Sequence, residues 1–258
     1  DLSVGTVMTL SAVMTGVFIT NLGLPVPVGI LGGLATGAFA GLVNGTVIAK
    51  MKIPPFIATL GMLYMAKGLA LVISDLKPIY FTETPSFQQV AMGSVTGQII
   101  PGFDIPNAVL IFFGAALVAN FILSRTVLGR YTFALGSNEE ATRLSGVNVD
   151  IWKMAVYTLA GTFAGLAGVV IASRLNSAQP ALGAGYELDA IAAVVIGGTS
   201  LSGGEGTILG TVIGAFVISV LTNGLRIMSV PQEWQIVITG AIVILAVYAD
   251  TLRKRGQA

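Results

Sequence analysis

Few side chains here could do chemistry, and the missing types narrow the choice first. There is no histidine and no cysteine among the 258 residues, which removes the usual proton shuttle, the thiolate nucleophile and the common soft metal ligands. No close group of carboxylates falls inside an apolar segment, so a buried acid–base site has no constituents. The run SGGEGT at 202–207 lacks the lysine and the spacing of a phosphate-binding loop, so any ATP is hydrolysed elsewhere. The most fully specified polar stretch is 136–150, GSNEEATRLSGVNVD, and its chemistry is that of docking rather than bond making.

Within that stretch Ser137 or Asn138 can act as an N-cap, and Glu140 stands three residues after Ser137 as in a capping box. Gly146 is placed to end the helix in the left-handed conformation, so the signals specify about two turns over 138–146. Glu139 and Arg143 have the i, i+4 spacing of a surface ion pair, while Ala141, Leu144 and Val147 mark a narrow apolar edge. That edge needs something to lie against.

The elements that must hold this stretch are membrane spans. Hydrophobic residues make up 54% of the chain and charged residues 10%, against the roughly 25% charge of soluble domains. The expected fold is therefore all-α and polytopic, with the 33 glycines suiting close helix packing. Uncharged apolar segments run at about 4–20, 28–49, 56–74, 106–124, 154–173, 188–200, 207–225 and 234–249. The sixth is short and runs into GGTSLSGGEG at 197–206, which reads as a broken element that either crosses or is re-entrant. Lys50 and Lys52, then Arg125, Arg130, Arg143 and Lys153, then Arg253, Lys254 and Arg255 form three basic clusters. The positive-inside rule puts all three in the cytoplasm, with 125–153 a cytoplasmic loop, 75–105 an outside loop and the C-terminus inside. A single membrane domain over 1–258 is expected, and the start at Asp1, running as DLSVG directly into an apolar segment, implies a longer protein.

A weaker signal is an internal echo. GLATGAFAGLVNG at 33–45 resembles GTVIGAFVISVLTNG at 210–224, and the topology above runs the two in opposite directions, as in an inverted repeat.

Longer stretches carry a family resemblance: DLSVG at 1–5, PPFIATLGML at 54–63, LGRYTFALGSNEEATRLSGVNV at 128–149, and LNSAQPALGAGYELDAIAAVVIGGTSLSGGEGTILGTVIGA at 175–215. The chain resembles the membrane permease subunits of bacterial ABC importers of the ribose and simple-sugar type, which are related to the branched-chain amino acid permeases. SAQP followed by GYELDAIAAVVIGGTSL points to the sugar branch. The resemblance implies an inner-membrane subunit that carries a monosaccharide, a ribose-like pentose or a similar sugar or polyol. It implies no cofactor on this chain, with ATP and magnesium on a cytoplasmic ATPase subunit. It further implies a periplasmic or lipid-anchored sugar-binding protein, a second permease subunit and membrane lipid as partners. Nucleic acid is not expected, since the net charge is only +1. Under the resemblance, Asn138, Glu139, Glu140, Ala141, Thr142, Arg143, Leu144, Ser145 and Gly146 form the coupling helix that lies in a cleft of the ATPase.

A sugar pathway would need polar groups at membrane depth and an aromatic face. Asn44, Thr59, Thr199, Ser200 and Asn223 are the candidates, with Phe56 as the stacking face. Ser and Thr in membrane helices more often bond their own backbone, and either asparagine can simply cap a helix. Arg174, Gln179, Tyr186 and Glu187, in the outside run 174–190, are candidates for docking a binding protein, although acidic residues there also suit the start of a helix. The alternative is an ion-coupled secondary transporter of a small neutral solute. Such carriers place an ionisable group within a span, and here Lys67 is the only charge well inside the third segment.

Overall fold

The computed structural model describes residues 1–255. Its helices follow the apolar segments, because every backbone donor and acceptor in hydrocarbon must be satisfied within the segment itself. The order is α1 (Val4–Gly16) continued by a π-helical turn (Val17–Asn21), α2 (Val26–Lys50), α3 (Pro55–Ile73), β1 (Ile79–Tyr80), α4 (Pro85–Met92), α5 (Val95–Ile99) and α6 (Asn107–Arg125). There follow α7 (Val127–Ser137), α8 (Glu139–Leu144), α9 (Val149–Leu175), β2 (Ser177–Ala178), α10 (Tyr186–Ile196), α11 (Ile208–Ile227) and α12 (Gln232–Arg255). Prolines stand at the N-terminal edges of α2, α3 and α4, where the missing N–H is no loss.

Six helices among the described residues are long and apolar enough to cross a membrane, and they coincide with six of the eight expected segments, all but the sixth and the last. The last falls in α12, for which several side chains, those of Arg253, Lys254 and Arg255 included, lie outside the described residues. The sixth segment is α10, whose 11 residues reach about 16 Å at 1.5 Å each, half the hydrocarbon thickness. No continuous helix crosses there, as its glycine-rich exit leads one to expect.

The contacts group the chain into two compact units, residues 1–115 with 148–187, and 116–147 with 188–258. In the first, α1, α2, α3 and α9 form a bundle whose closest seam is α2 against α9. Gly37 and Gly41 of α2 lie directly on the backbone of α9 at Gly161, Gly165 and Tyr157, and a Cβ on Gly37 would stand 2.8 Å from Gly165 Cα. Small residues here replace the hydrophobic effect by letting backbones touch. At one end of this bundle Lys52 Nζ meets Asp150 Oδ1 at 2.8 Å, which joins the loop after α2 to the start of α9. At the other end β1 pairs antiparallel with β2, Ile79 opposite Ala178. There Phe81 and Phe87 stack at 4.3 Å, and Ser173 Oγ donates to Phe87 O at 2.6 Å while accepting from the Ala91 amide at 3.0 Å. Part of the expected outside loop is therefore folded down onto α9.

In the second unit α10 and α11 form a close hairpin: Gly197 lies on the backbone of Gly210, and Gly214 on Ala193 O. The repeated segments thus use their glycine pairs alike, Gly33 and Gly37 in one unit and Gly210 and Gly214 in the other, to seat a helix on a neighbour. The echo fails at the asparagines, since Asn44 is buried and Asn223 is exposed.

Candidate functional site

The stretch 136–150 folds as a series of caps. Asn138 is the joint: its amide donates to Ala134 O at 2.9 Å, ending α7, and its Oδ1 accepts from the Ala141 amide at 2.9 Å, starting α8. Ser137 remains the last residue of α7 and takes no part in capping α8, so the expected choice between two caps goes to asparagine. Glu139 and Glu140 occupy the first turn and Arg143 the last, which complements the helix dipole at both ends. Arg143 Nη2 donates to Glu139 Oε1 at 3.1 Å. Thr142 Oγ1 donates back to Asn138 O at 2.8 Å, and Ser145 Oγ to Ala141 O at 2.9 Å. Gly146 closes the unit at φ +85°, its amide donating to Arg143 O at 3.0 Å. The helix is one and a half turns, shorter than the two expected, because 145 and 146 are spent on its end.

The apolar edge is bare. Leu144 is 84% exposed and Ala141 is exposed, while Val147 is half-buried. Between α7 and α8 opens a concavity of about 340 Å³ lined by Tyr131, Ala134, Asn138, Ala141, Thr142 and Val147. The helix is thus capped at both ends and carries an uncovered leucine beside a shallow cleft.

The residues expected along a pathway do not converge. Asn44 is buried and its Nδ2 donates to Ser3 Oγ at 2.9 Å, tying α2 to the start of α1. Thr59 is buried, but its hydroxyl bonds to Pro55 O at 2.9 Å, the ordinary fate of a helical threonine. Phe56, in the first turn of the same helix, is 62% exposed. Thr199 and Ser200 lie in the turn after α10, where Thr199 packs under Gly206 and Ser200 is buried with its Oγ accepting from the Ser202 amide at 3.2 Å. Asn223 is exposed on α11.

Of the expected docking residues, Arg174 and Tyr186 are exposed, and Gln179 is half-buried with its Nε2 donating to Ser177 Oγ at 3.1 Å. Glu187 corrects the expectation, being only 9% exposed. After β2 the chain leaves Ala178, beside Gly16, and runs without helix along α1 until Gly183 lies on Gly5 and Thr9. That brings Glu187 against Gly5, where Oε1 accepts from the Gly185 amide at 3.1 Å and Oε2 is buried without a partner. Non-helical backbone at this depth is tolerated because α1 covers it, and Gly5 and Gly183 supply the close approach. The topology from the basic clusters puts this run outside, and nothing in its polarity says that it folds back along α1. The glycines at 5 and 183 were the only local sign of the contact. Lys67, the one candidate for ion coupling, is exposed on α3.

A family model described as "Branched-chain amino acid transport system / permease component" matches residues 1–247. The chain is 42% identical over 257 residues to the ribose import permease protein of Escherichia coli strain K12, covering 98% of this chain and 78% of that protein. It is 38% identical over 256 residues to the fructose import permease protein of Rhizobium meliloti, covering 97% and 69%. With the xylose transport system permease protein of Escherichia coli strain K12 it shares 34% over 308 residues, covering 99% and 78%. No solved structure matches. An all-α membrane chain with a bare, capped helix on its polar connection, matched from its first residue almost to its last, belongs to the branched-chain amino acid transport system permease family.

Proposed function

We propose that this chain is the transmembrane subunit of an ATP-binding-cassette importer that carries a monosaccharide, a ribose-like pentose or a similar sugar or polyol, across the bacterial inner membrane. The observation that carries the reading is the set of relatives named as import permeases for ribose, fructose and xylose, at 34–42% identity over nearly all of this chain. The solute is neutral on this reading, because no charge cluster lines the spans to greet a charged one.

In this reading ATP and magnesium sit on a separate cytoplasmic ATPase, and residues 138–146 form the coupling helix that enters its cleft. Rigid capping and a bare Leu144 support that role, since a lever must keep its shape while its tip is gripped. Two permease subunits face two ATPase domains, and a periplasmic or lipid-anchored binding protein delivers the sugar, with Arg174, at the end of α9 beside the β1–β2 pair, as the exposed docking candidate; Tyr186 follows the run that returns along α1 to Gly5 and lies away from that end. Asn44 ties α2 to the start of α1, Thr59 bonds within its own helix and Ser200 within its own turn, which leaves Thr199, Asn223 and Phe56 as pathway candidates. The C-terminus is cytoplasmic.

The test is uptake of labelled ribose, fructose, xylose and a branched-chain amino acid in a deletion strain, with the chain restored together with its neighbouring ATPase and binding protein. Uptake of at least one sugar and not of the amino acid is expected. Uptake confined to the amino acid would refute the sugar assignment.

A further inference from the structure

The residue before the capped helix touches the turn that follows the broken element. Gly136, in the last turn of α7, lies backbone to backbone on the 203–204 turn: a Cβ on Gly136 would run into the Gly204 amide and stand 3.1 Å from Gly203 C. From the other side, a Cβ on Gly203 would stand 2.7 Å from Gly136 O, and one on Gly204 3.1 Å from Ser137 Cα. Asn138, which caps α8, is the next residue. No side chain intervenes between the two segments, so a displacement of one is passed on without the slack of a rotamer.

The turn is itself stiff. Gly203 and Gly204 are both left-handed, at φ +88° and +78°. The Ser200 amide donates to Glu205 O at 3.0 Å and the Gly203 amide to Ser200 O at 3.1 Å, closing the loop on itself. Upstream, the Thr199 amide donates to Val194 O at 2.9 Å and the Gly198 amide to Val195 O at 2.9 Å, with Gly198 at φ +84°, the double bond pattern of a Schellman end for α10. Downstream, Thr207 Oγ1 accepts from the Gly210 amide at 3.0 Å and caps α11. Gly197 on Gly210 holds the two helices together.

We propose that Gly136 is a positioning residue for transport, and that its contact with Gly203 and Gly204 is the joint through which α8 moves the α10–α11 hairpin as one body. This rests on the reading of the chain as a permease driven through α8. It explains why a glycine stands in the last turn of α7, where alanine would make the better helix, and why the run after α10 is so rich in glycine.

The test uses the permease co-purified with its ATPase and binding protein and reconstituted in vesicles, with labelled ribose as the probe and wild type alongside. Gly136→Ala should leave the complex intact and its basal ATP hydrolysis unchanged, because alanine favours the helix and α8 is untouched. Transport should fall at least tenfold, and sugar-dependent stimulation of hydrolysis should be lost. Transport within twofold of wild type overturns the joint. A second variant guards against a complex that fails to assemble. The chain has no cysteine, and a Cβ on Gly204 would lie 3.2 Å from Ser137 Cβ, slightly closer than the ~3.5–4.5 Å of a disulfide, so that a few tenths of an ångström of opening allows one. With Ser137→Cys and Gly204→Cys together, oxidation should cross-link the pair and transport should persist at half the reduced rate or better. Loss of transport on oxidation that returns on reduction, with the single-cysteine variants unaffected, means the segments slide and overturns the proposal; failure to cross-link means they are apart and overturns it as well. If wild type moves no sugar from the ribose, fructose and xylose panel, the importer reading itself fails, which is a separate result.

Discussion

Leu144 and Asn44 mark the two things a single side chain does in this molecule. Leu144 is bare, so replacing it costs the chain almost nothing of its own: Leu144→Asp should change stability by no more than about 0.5 kcal/mol, as exposed substitutions do. On the coupling reading, the same change should abolish sugar uptake and weaken retention of the ATPase, read by co-purification from membranes with normal permease abundance. Normal transport with the ATPase still bound would make α8 a passive connection. Asn44 is the converse case. Its hydrogen bond to Ser3 Oγ joins α2 to the start of α1, and interhelical bonds of this kind contribute about 0.6 kcal/mol on average and rarely above 1.7. Asn44→Ala should therefore lower the unfolding temperature of the purified protein in detergent slightly and leave sugar selectivity unchanged. A change in which sugar is carried would instead place Asn44 on the pathway.

Elements are set by caps and by glycine seams. Gly146 ends α8 at φ +85°, a region that a β-branched residue enters only at a cost of about 1–3 kcal/mol. Gly146→Val should fray α8 and uncouple ATP turnover from uptake, while the bundle of α1, α2, α3 and α9, which makes no use of that cap, keeps its proteolytic resistance. The α2–α9 seam predicts the opposite partition. Gly161→Val would drive a branched side chain into Gly37 O and the Gly41 backbone, with an overpacking cost of about 1–3 kcal/mol or more and no space to relax into. Low membrane abundance and a lowered unfolding temperature are expected, measured by fluorescence-detected gel filtration. A well-folded protein at wild-type abundance would mean the seam is looser than the backbone contacts imply. The salt bridge between Lys52 and Asp150 matters less, as both side chains are partly exposed, and Asp150→Asn should cost at most about 1 kcal/mol.

At the scale of the molecule, the importer reading gives the chain a path and a handle and puts the engine on a partner. Without histidine, cysteine or a phosphate-binding loop, the purified chain alone should hydrolyse no ATP above background, and turnover should appear only with its ATPase. Turnover by the isolated chain, free of contaminating ATPase by mass spectrometry, would sink the importer reading. A symmetric ATPase dimer has two clefts, so the assembled complex should contain two permeases, countable by native mass spectrometry.

Membrane residence, the position of the spans and the capped helix at 138–146 were all legible in the residues, because each depends on local rules. Apolar length fixes a span, and asparagine and glycine fix helix ends. The positions of Glu187 and Gly136 were not legible. Glu187 reads as a solvated acid in an outside run, and only the approach of Gly183 to Gly5, more than 170 positions apart in sequence, brings it under α1. Gly136 reads as a spare glycine near a helix end, and only the fold sets it on Gly203 and Gly204. A glycine's use is defined by what lies opposite it, which no local pattern encodes. The sequence therefore determined what each element is, and the tertiary structure alone decided which backbones touch.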